Sequence, residues 1–262
     1  MEPDRGLATD GRPDSGRGSP RTPWWVGVLI GGATGFGALF ALAKVWDSIT
    51  EHGAVVRVDQ RWLSTLMTHR TPWVTTAFRG IAWLGDMRVL AGIVGLTAII
   101  LVLRHVRIYA VLLVAATAGA ATLAVILKTA LARPRPPVSA HLVATAGAAF
   151  PSGHATQAAA CYGALAWVVA RQLHRRWQRI LIWSGAIALV GLVGFSRVYL
   201  GVHWPSDVGS GWALGTGWIA VCVGVLLAAR SLLQGPWTLP SARRSAVSLN
   251  KTYSGPEDEP RS

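Results

Sequence analysis

The sequence predicts an all-α, polytopic membrane protein, a bundle of about six transmembrane helices. Its 262 residues are 52% hydrophobic and only 14% charged, whereas soluble domains carry about 25% charged residues. The chain also contains 13 tryptophans and 29 glycines. Tryptophan favours the membrane–water interface and glycine is tolerated in transmembrane helices, so both counts agree with a membrane-embedded fold.

Apolar runs long enough to cross the hydrocarbon core, about 20 residues each, define the predicted spans. They cover residues 24–46, 82–103, 108–127, 152–170, 178–196 and 208–230. The first run could instead belong to a signal peptide, because an A-x-A-like site ends at Ala43. The run is longer than the roughly 7–15 apolar residues of a signal peptide, and we therefore interpret it as an uncleaved anchor.

The two ends of the chain differ in composition from the part between them. Residues 1–22 and 235–262 are rich in glycine, proline, serine and charged residues. Such segments cannot bury enough apolar surface to fold. We expect two disordered cytoplasmic tails around one six-helix membrane domain, residues 23–234.

Loop charge predicts the orientation in the cell membrane. The loops 104–107 and 171–179 are dense in arginine, and both tails are basic. The positive-inside rule places these regions, and with them both termini, in the cytoplasm. Segments 47–81, 128–151 and 197–207 then face the periplasm or the cell exterior. Segment 47–81 is predicted to hold a short amphipathic helix at the interface.

The net charge of +13 raises the possibility of nucleic-acid binding. The basic residues lie in short clusters between apolar runs rather than on one polar face, so no nucleic-acid partner is expected. Cys161 and Cys222 both fall inside apolar runs, which predicts two small buried side chains and no disulfide.

The first outward-facing stretch carries three cations. Lys128 directly follows an apolar run, and Arg133 and Arg135 each precede a proline. Their interpretation is open between a snorkelling lysine with a solvated Arg-Pro turn and a cradle for an anion.

A helix start is predicted at "PSGHATQAAA", residues 151–160. Ser152 stands at the N-cap position, and Gly153 lets a ligand approach the backbone closely. The first turn of a helix presents unpaired N–H groups and the positive end of its dipole, which together bind anions. His154 follows, either as a reactive group or as an ordinary interfacial residue.

The stretch "GFSRVYLGVHWPSDVGSG", residues 194–211, brings together Arg197, His203 and Asp207. If a helix starts near Asp207, its carboxylate can accept a hydrogen bond from one nitrogen of His203. The other nitrogen would then keep a free lone pair, as a nucleophile requires. The alternative is an aspartate cap beside an interfacial histidine.

Taken together, the three stretches indicate a functional site more strongly than any one of them does, because ionisable groups at membrane depth are costly and usually functional. Their cations need an anionic ligand, and Asp207 is the only carboxylate expected nearby. A phosphate fits this need. Two histidines and one carboxylate among repelling cations suit a metal poorly, so no metal and no cofactor are expected.

The same residues form three sequence blocks in a fixed order. They are K-x(6)-R-P at 128–136, PSGH at 151–154 and S-R-x(5)-H-x(3)-D at 196–207. These blocks resemble those of the type 2 phosphatidic acid phosphatase superfamily, which also contains the vanadium haloperoxidases. The resemblance covers roughly residues 80–230.

The resemblance to the membrane branch implies a metal-independent six-helix enzyme and a role for each signature residue. His203 would attack phosphorus, Asp207 would orient it, and His154 would protonate the leaving oxygen. The phosphate oxygens would be held by Lys128, Arg135, Ser152, Gly153 and Arg197. Arg133 is outside the signature positions and would be accessory at most.

The expected function is an integral membrane lipid phosphatase that hydrolyses a phosphate or diphosphate monoester through a phosphohistidine intermediate. Candidate substrates are undecaprenyl diphosphate, phosphatidate and phosphatidylglycerol phosphate, at an active site on the outer membrane face. One alternative is a phosphotransferase or a vanadate-dependent peroxidase using the same pocket, although the haloperoxidase branch is soluble. Another is a non-catalytic lipid-binding membrane protein. The expected partners are a lipid phosphate and the bilayer.

Overall fold

The structure, a computed structural model, describes residues 24–233, and both predicted tails lie outside that range. The described residues contain eight α-helices and no strand, which confirms the all-α fold. The helices are α1 (Trp24–Thr50), α2 (Ala54–Thr68), α3 (Pro72–Trp83), α4 (Met87–Leu103), α5 (Arg107–Leu131), α6 (Gly153–Ala170), α7 (Arg176–Tyr199) and α8 (Pro205–Leu233). A single 3₁₀ turn, Val138–Ala140, lies in the connection between α5 and α6.

Four helices, α1, α5, α7 and α8, are long and apolar enough to cross a membrane. Helices α3 and α4 make a fifth candidate when taken as one span bent by 45°. Helix α6 has 18 residues and packs against α4, α5, α7 and α8. Since protein surrounds α6, its sequence does not need a lipid-facing apolar surface. The expectation of six spans therefore remains a prediction for α6.

The predicted span 82–103 differs from the observed element. The chain breaks between α3 and α4, where Asp86 is the N-cap of α4 and its carboxylate accepts a hydrogen bond from the backbone N–H of Arg88 at 2.9 Å. An N-cap aspartate satisfies one of the unpaired N–H groups at a helix start. The turn at Gly85 and Asp86 thus starts a new helix inside the apolar run.

Several helices also extend beyond their predicted limits, and this changes where the polar residues sit. Helix α5 runs to Leu131 and includes Lys128 in its last turn. Arg197 lies in the last turn of α7 and Asp207 in the first turn of α8. Parts of the predicted outward-facing loops are therefore rigid helix ends.

The predicted segment 47–81 is mostly helical and contributes to the bundle. Helix α2 contacts α1, α7 and α8, and its Asp59 and Leu63 are buried. Because one of these two residues is a carboxylate, α2 presents a charged group to the protein interior.

Small residues allow α6 and α8 to approach closely. A Cβ atom added at Gly211 of α8 would lie 2.7 Å from the backbone oxygen of Ser152 and 2.9 Å from Cβ of Ala155. Backbones can come this near only where side chains are absent. The contact fixes the second turn of α8 against the start of α6.

Helix α1 packs along α8 in the same way. A Cβ atom on Gly31 would lie 2.6 Å from the backbone oxygen of Ala220. On the outer surface of the bundle, large apolar side chains such as Phe36 are exposed, in that case by 72%. An exterior with many exposed large apolar side chains suits contact with lipid.

Candidate active site

The three polar stretches of the sequence meet at one end of the bundle. Lys128 lies in the last turn of α5, Ser152 directly precedes α6, Arg197 lies in the last turn of α7 and Asp207 lies in the first turn of α8. Two backbone hydrogen bonds link the stretches: Ser152 N donates to the backbone oxygen of Asp207 at 2.9 Å, and Ala149 N donates to that of Arg133 at 2.8 Å. Residues that are distant in sequence therefore line one site.

His203 lies between two partners of opposite charge. Its Nδ1 is 3.4 Å from Oδ2 of Asp207, within ion-pair distance but without hydrogen-bond geometry, and its Nε2 is 3.3 Å from Nη1 of Arg135. A guanidinium can only donate hydrogen bonds, so Nε2 has to be the acceptor. We assign the proton of the neutral ring to Nδ1, the nitrogen that faces Asp207. This tautomer leaves the lone pair of Nε2 in the pocket.

Burial sets the charge of His203. The side chain is 2% exposed, and desolvation lowers its pKa from 6.5 to about 4, although Asp207 acts in the opposite direction. Burial likewise lowers the pKa of Arg135, which stays above the neutral range as arginine does. At pH 7 the site therefore pairs a neutral imidazole with a charged guanidinium.

The carboxylate of Asp207 is completely buried and held on both oxygens. Oδ2 accepts a hydrogen bond from Trp204 N at 2.9 Å, and Oδ1 accepts one from Nη1 of Arg133 at 2.5 Å. With both oxygens bound, the carboxylate has little freedom to turn away from His203.

Three cations, Lys128, Arg135 and Arg197, lie near Nε2 of His203 or near the start of α6. Lys128 Nζ donates to the backbone oxygen of Ala148 at 2.7 Å, and Arg135 donates to that of Val202 at 2.7 Å. Within residues 24–233, Lys128, Arg135 and Arg197 form no ion pair with a carboxylate. Their charge is available to an anionic ligand.

Two buried polar atoms near the start of α6 lack partners among the described residues. They are Oγ of Ser152 and Nε of Arg197. Ser152 is the N-cap of α6 as predicted, but its hydroxyl does not bond the helix. Unpaired buried donors carry a free-energy cost that a bound anion would relieve.

The first turn of α6 adds backbone donors. A Cβ atom on Gly153 would lie 3.7 Å from Cε of Lys128, so the start of the helix and the lysine face the same space. The N–H groups of such a turn, with the helix dipole, attract negative charge.

A cavity of about 300 Å³ opens beside His154 and Arg197. Its wall also includes Arg79, Trp83 and Asp86, which the sequence motifs did not identify. The backbone approaches the imidazole at Gly85, where an added Cβ would lie 3.3 Å from Cδ2 of His154. The sequence feature that could have identified Asp86 is its position as a helix-capping residue inside an apolar run.

Arg133 occupies a different place from the other cations. Its guanidinium is 5% exposed and pairs with Asp207 and with Oδ2 of Asp59 at 2.8 Å. The expectation that Asp207 is the only nearby carboxylate is therefore wrong, because Asp59 and Asp86 also approach the site. Asp59 could have been found by its place on the apolar face of α2, in register with Leu63.

Among residues 24–233, no group of three His, Cys, Asp or Glu side chains could hold a metal ion. The chemistry available to the described residues is instead that of a neutral imidazole beside uncompensated cations. Such a site can bind an anion and present the Nε2 lone pair to it.

Comparison with known proteins gives a family match. Residues 109–230 match the family model described as the PAP2 superfamily. The matched region includes every residue of the three sequence blocks.

Individual proteins of similar sequence or structure agree with this family match. Phosphatidylglycerophosphatase B of Bacillus subtilis (strain 168) is 29% identical over 181 residues, covering 68% of this chain and 88% of that protein. Undecaprenyl-diphosphatase of Sulfolobus acidocaldarius is 45% identical over 71 residues, covering 27% of this chain and 30% of that protein. The crystal structure of a transmembrane PAP2-type phosphatidylglycerolphosphate phosphatase from Bacillus subtilis superimposes with a TM-score of 0.65 at 25% identity, covering 80% of this chain and 99% of that one.

Proposed function

From the match of residues 109–230 to the PAP2 superfamily, we propose that this chain is an integral membrane lipid phosphatase. It hydrolyses a phosphate or diphosphate monoester of a lipid through a phosphohistidine intermediate. The observation that carries the proposal is the buried imidazole of His203, whose Nε2 faces Arg135 and whose Nδ1 faces Asp207.

The substrate phosphate binds among the free cations. Lys128, Arg135 and Arg197 neutralise its oxygens, and the Ser152 hydroxyl and the Gly153 N–H donate further hydrogen bonds. Charge spreads over these oxygens in the transition state of phosphoryl transfer. Fixed donors therefore stabilise the transition state more than the bound substrate.

The reaction proceeds in two steps. Nε2 of His203 attacks phosphorus, the bond from phosphorus to the lipid oxygen breaks, and His154 donates a proton to that oxygen. Water then attacks the phosphohistidine, His154 takes a proton from the water, and the N–P bond breaks to release phosphate. Asp207 stabilises the positive charge on the His203 ring, as the carboxylate of a catalytic triad does.

The substrate is a lipid because the pocket lies at the end of membrane-spanning helices. The cavity next to His154 adjoins the leaving-group side, so it receives the portion of the lipid attached to the departing oxygen. Similarity to phosphatidylglycerophosphatase B and to undecaprenyl-diphosphatase supports either a glycerol-based or a prenyl lipid. The arginine-rich loops support an orientation with the pocket on the periplasmic or outer face and both termini in the cytoplasm.

The proposed reaction uses no metal, since the cations of the pocket perform the charge neutralisation that a metal would otherwise supply. The test is phosphate release by the full-length protein in detergent, from phosphatidylglycerol phosphate, phosphatidate and undecaprenyl diphosphate, with and without EDTA. We expect release from at least one lipid, unchanged by EDTA and inhibited by orthovanadate. Absence of release from all three lipids, or loss of release in EDTA, would contradict the proposal.

A further inference from the structure

Asp207 is held from the side opposite His203 by a buried arginine. Nη1 of Arg133 donates to Oδ1 of Asp207 at 2.5 Å and to Oγ of Ser206 at 2.8 Å. The guanidinium also lies 5.7 Å from the ring centroid of Trp204. Arg133 thus contacts three of the four residues that follow His203.

Arg133 is itself held by α2. Its Nη2 donates to Oδ2 of Asp59 at 2.8 Å. Asp59 also accepts from Ser206 N at 2.9 Å and from Ser206 Oγ at 2.5 Å. One carboxylate of α2 therefore fixes both the arginine and the first turn of α8.

Burial makes these contacts sensitive to any missing partner. Asp59 and Asp207 are 1% and 0% exposed, and a buried charge without its partner is strongly unfavourable. Arginine suits the bridge because its planar fork offers separate nitrogens to two acceptors. Here Nη1 takes Asp207 and Nη2 takes Asp59.

We propose that Asp59 and Arg133 are positioning residues for catalysis: through them, α2 holds the Asp207 carboxylate against Nδ1 of His203 and so fixes the reactive tautomer of the histidine. Within residues 24–233, neither side chain forms a hydrogen bond with Lys128, Arg135, Ser152 or Arg197. The kinetic consequence rests on the proposed function, whereas the consequence for the tautomer does not.

The rival explanation is that the pair only fastens α2 to the bundle. That role would change stability but would leave the His203 tautomer and kcat of the folded protein unaltered. The two explanations therefore differ in kinetics and in the spectrum of one side chain.

The kinetic test compares Asp59→Asn, Arg133→Met and Arg133→Lys in the full-length protein in detergent. We expect kcat to fall about 10- to 100-fold, as small misplacements of a reacting group do, while KM changes less than about twofold because the phosphate donors are intact. Arg133→Lys covers the case in which Arg133→Met does not fold. It keeps the positive charge but cannot bind both carboxylates through two separate nitrogens. The matched control is Asp47→Asn, which removes an exposed carboxylate near the C-terminal end of α1.

The spectroscopic test uses protein labelled with ¹⁵N-histidine, in which the His203 signals are identified by their loss in His203→Gln. We expect the Nδ1–H tautomer in the wild type and in Asp47→Asn, and a mixture of tautomers in Asp59→Asn and Arg133→Lys. Wild-type kcat together with an unchanged His203 tautomer in these two variants would overturn the proposal, and so would a change confined to KM.

The tautomer comparison needs no turnover. If the wild-type protein released no phosphate from any lipid, the proposed function would fail, and the spectra would still decide whether Asp59 and Arg133 position His203.

Discussion

Nη1 of Arg135 lies 3.3 Å from Nε2 of His203, on the opposite side of the ring from Asp207. In the proposed function, this relationship places a phosphate-binding cation directly beside the nitrogen that would form the new bond. A phosphoryl group held by Arg135 would then lie beside its nucleophile, which is the effect of proximity in catalysis.

Replacing the nucleophile should separate chemistry from binding. We expect His203→Ala to reduce phosphate release to background while keeping affinity for orthovanadate, because the cations and the α6 N-terminus remain. Phosphate release and the vanadate-induced rise in unfolding temperature measure the two properties. His174→Gln, a change at an exposed histidine on the loop before α7, is the control and should match the wild type. Substantial turnover in His203→Ala would refute the assignment of the nucleophile.

Arg197 should contribute both charge and hydrogen-bond geometry. Its buried Nε has no partner among the described residues, so we expect Arg197→Gln to lower kcat/KM by on the order of 10²–10³-fold, the usual cost of one transition-state donor. Arg197→Lys should fall between this variant and the wild type, because it keeps the charge and loses the fork. Arg176→Gln, at the other end of α7, serves as the control. Equal activity of all four proteins would exclude Arg197 from phosphate binding.

Close packing of α8 on α6 gives a stability prediction. Alanine at Gly211 would place its Cβ 2.7 Å from the Ser152 backbone oxygen, and overpacking of this kind costs about 1–3 kcal/mol. At Gly209, two positions earlier, an added Cβ meets nothing within 4 Å. There alanine should be neutral or stabilising by up to about 1 kcal/mol, since it favours helix more than glycine does. Thermal unfolding in detergent measures both, and an equal unfolding temperature for the two variants would contradict the packing argument.

The pH dependence of stability should report the burial of His203. Its pKa is about 4 in the folded protein, against an ordinary value of 6.5. Between these values the unfolded chain binds more protons at this position, so stability falls as the pH falls through that window. His203→Gln does not titrate. We therefore expect its unfolding temperature to drop less than that of the wild type between pH 7 and pH 5. Parallel curves for the two proteins would show that His203 is not desolvated.

The residues proposed to bind phosphate could be singled out from the sequence because each lies in a short stretch of unusual composition. Cations beside Pro134 and Pro136, or a histidine next to an N-cap serine, stand out locally against apolar runs. That these residues meet at one end of the bundle could be predicted, because loop charge assigns all three loops to one membrane face and because the three blocks resemble those of one family.

Asp59 could not be assigned in this way. Its partners Arg133 and Ser206 are 74 and 147 residues away in the chain, and no spacing rule connects them. Asp86 was hidden for another reason. Hydropathy averaged over a window treats 82–103 as one run, whereas a single N-cap side chain is enough to end one helix and start the next.

Helices α6 and α8 both begin at the pocket, so part of its attraction for anions belongs to the peptide backbone rather than to any side chain. A variant in which His203 is replaced would therefore still attract anions to its pocket. Under the proposed function, it would still bind phosphorylated lipids without releasing product, and when produced alongside active molecules it would compete with them for substrate.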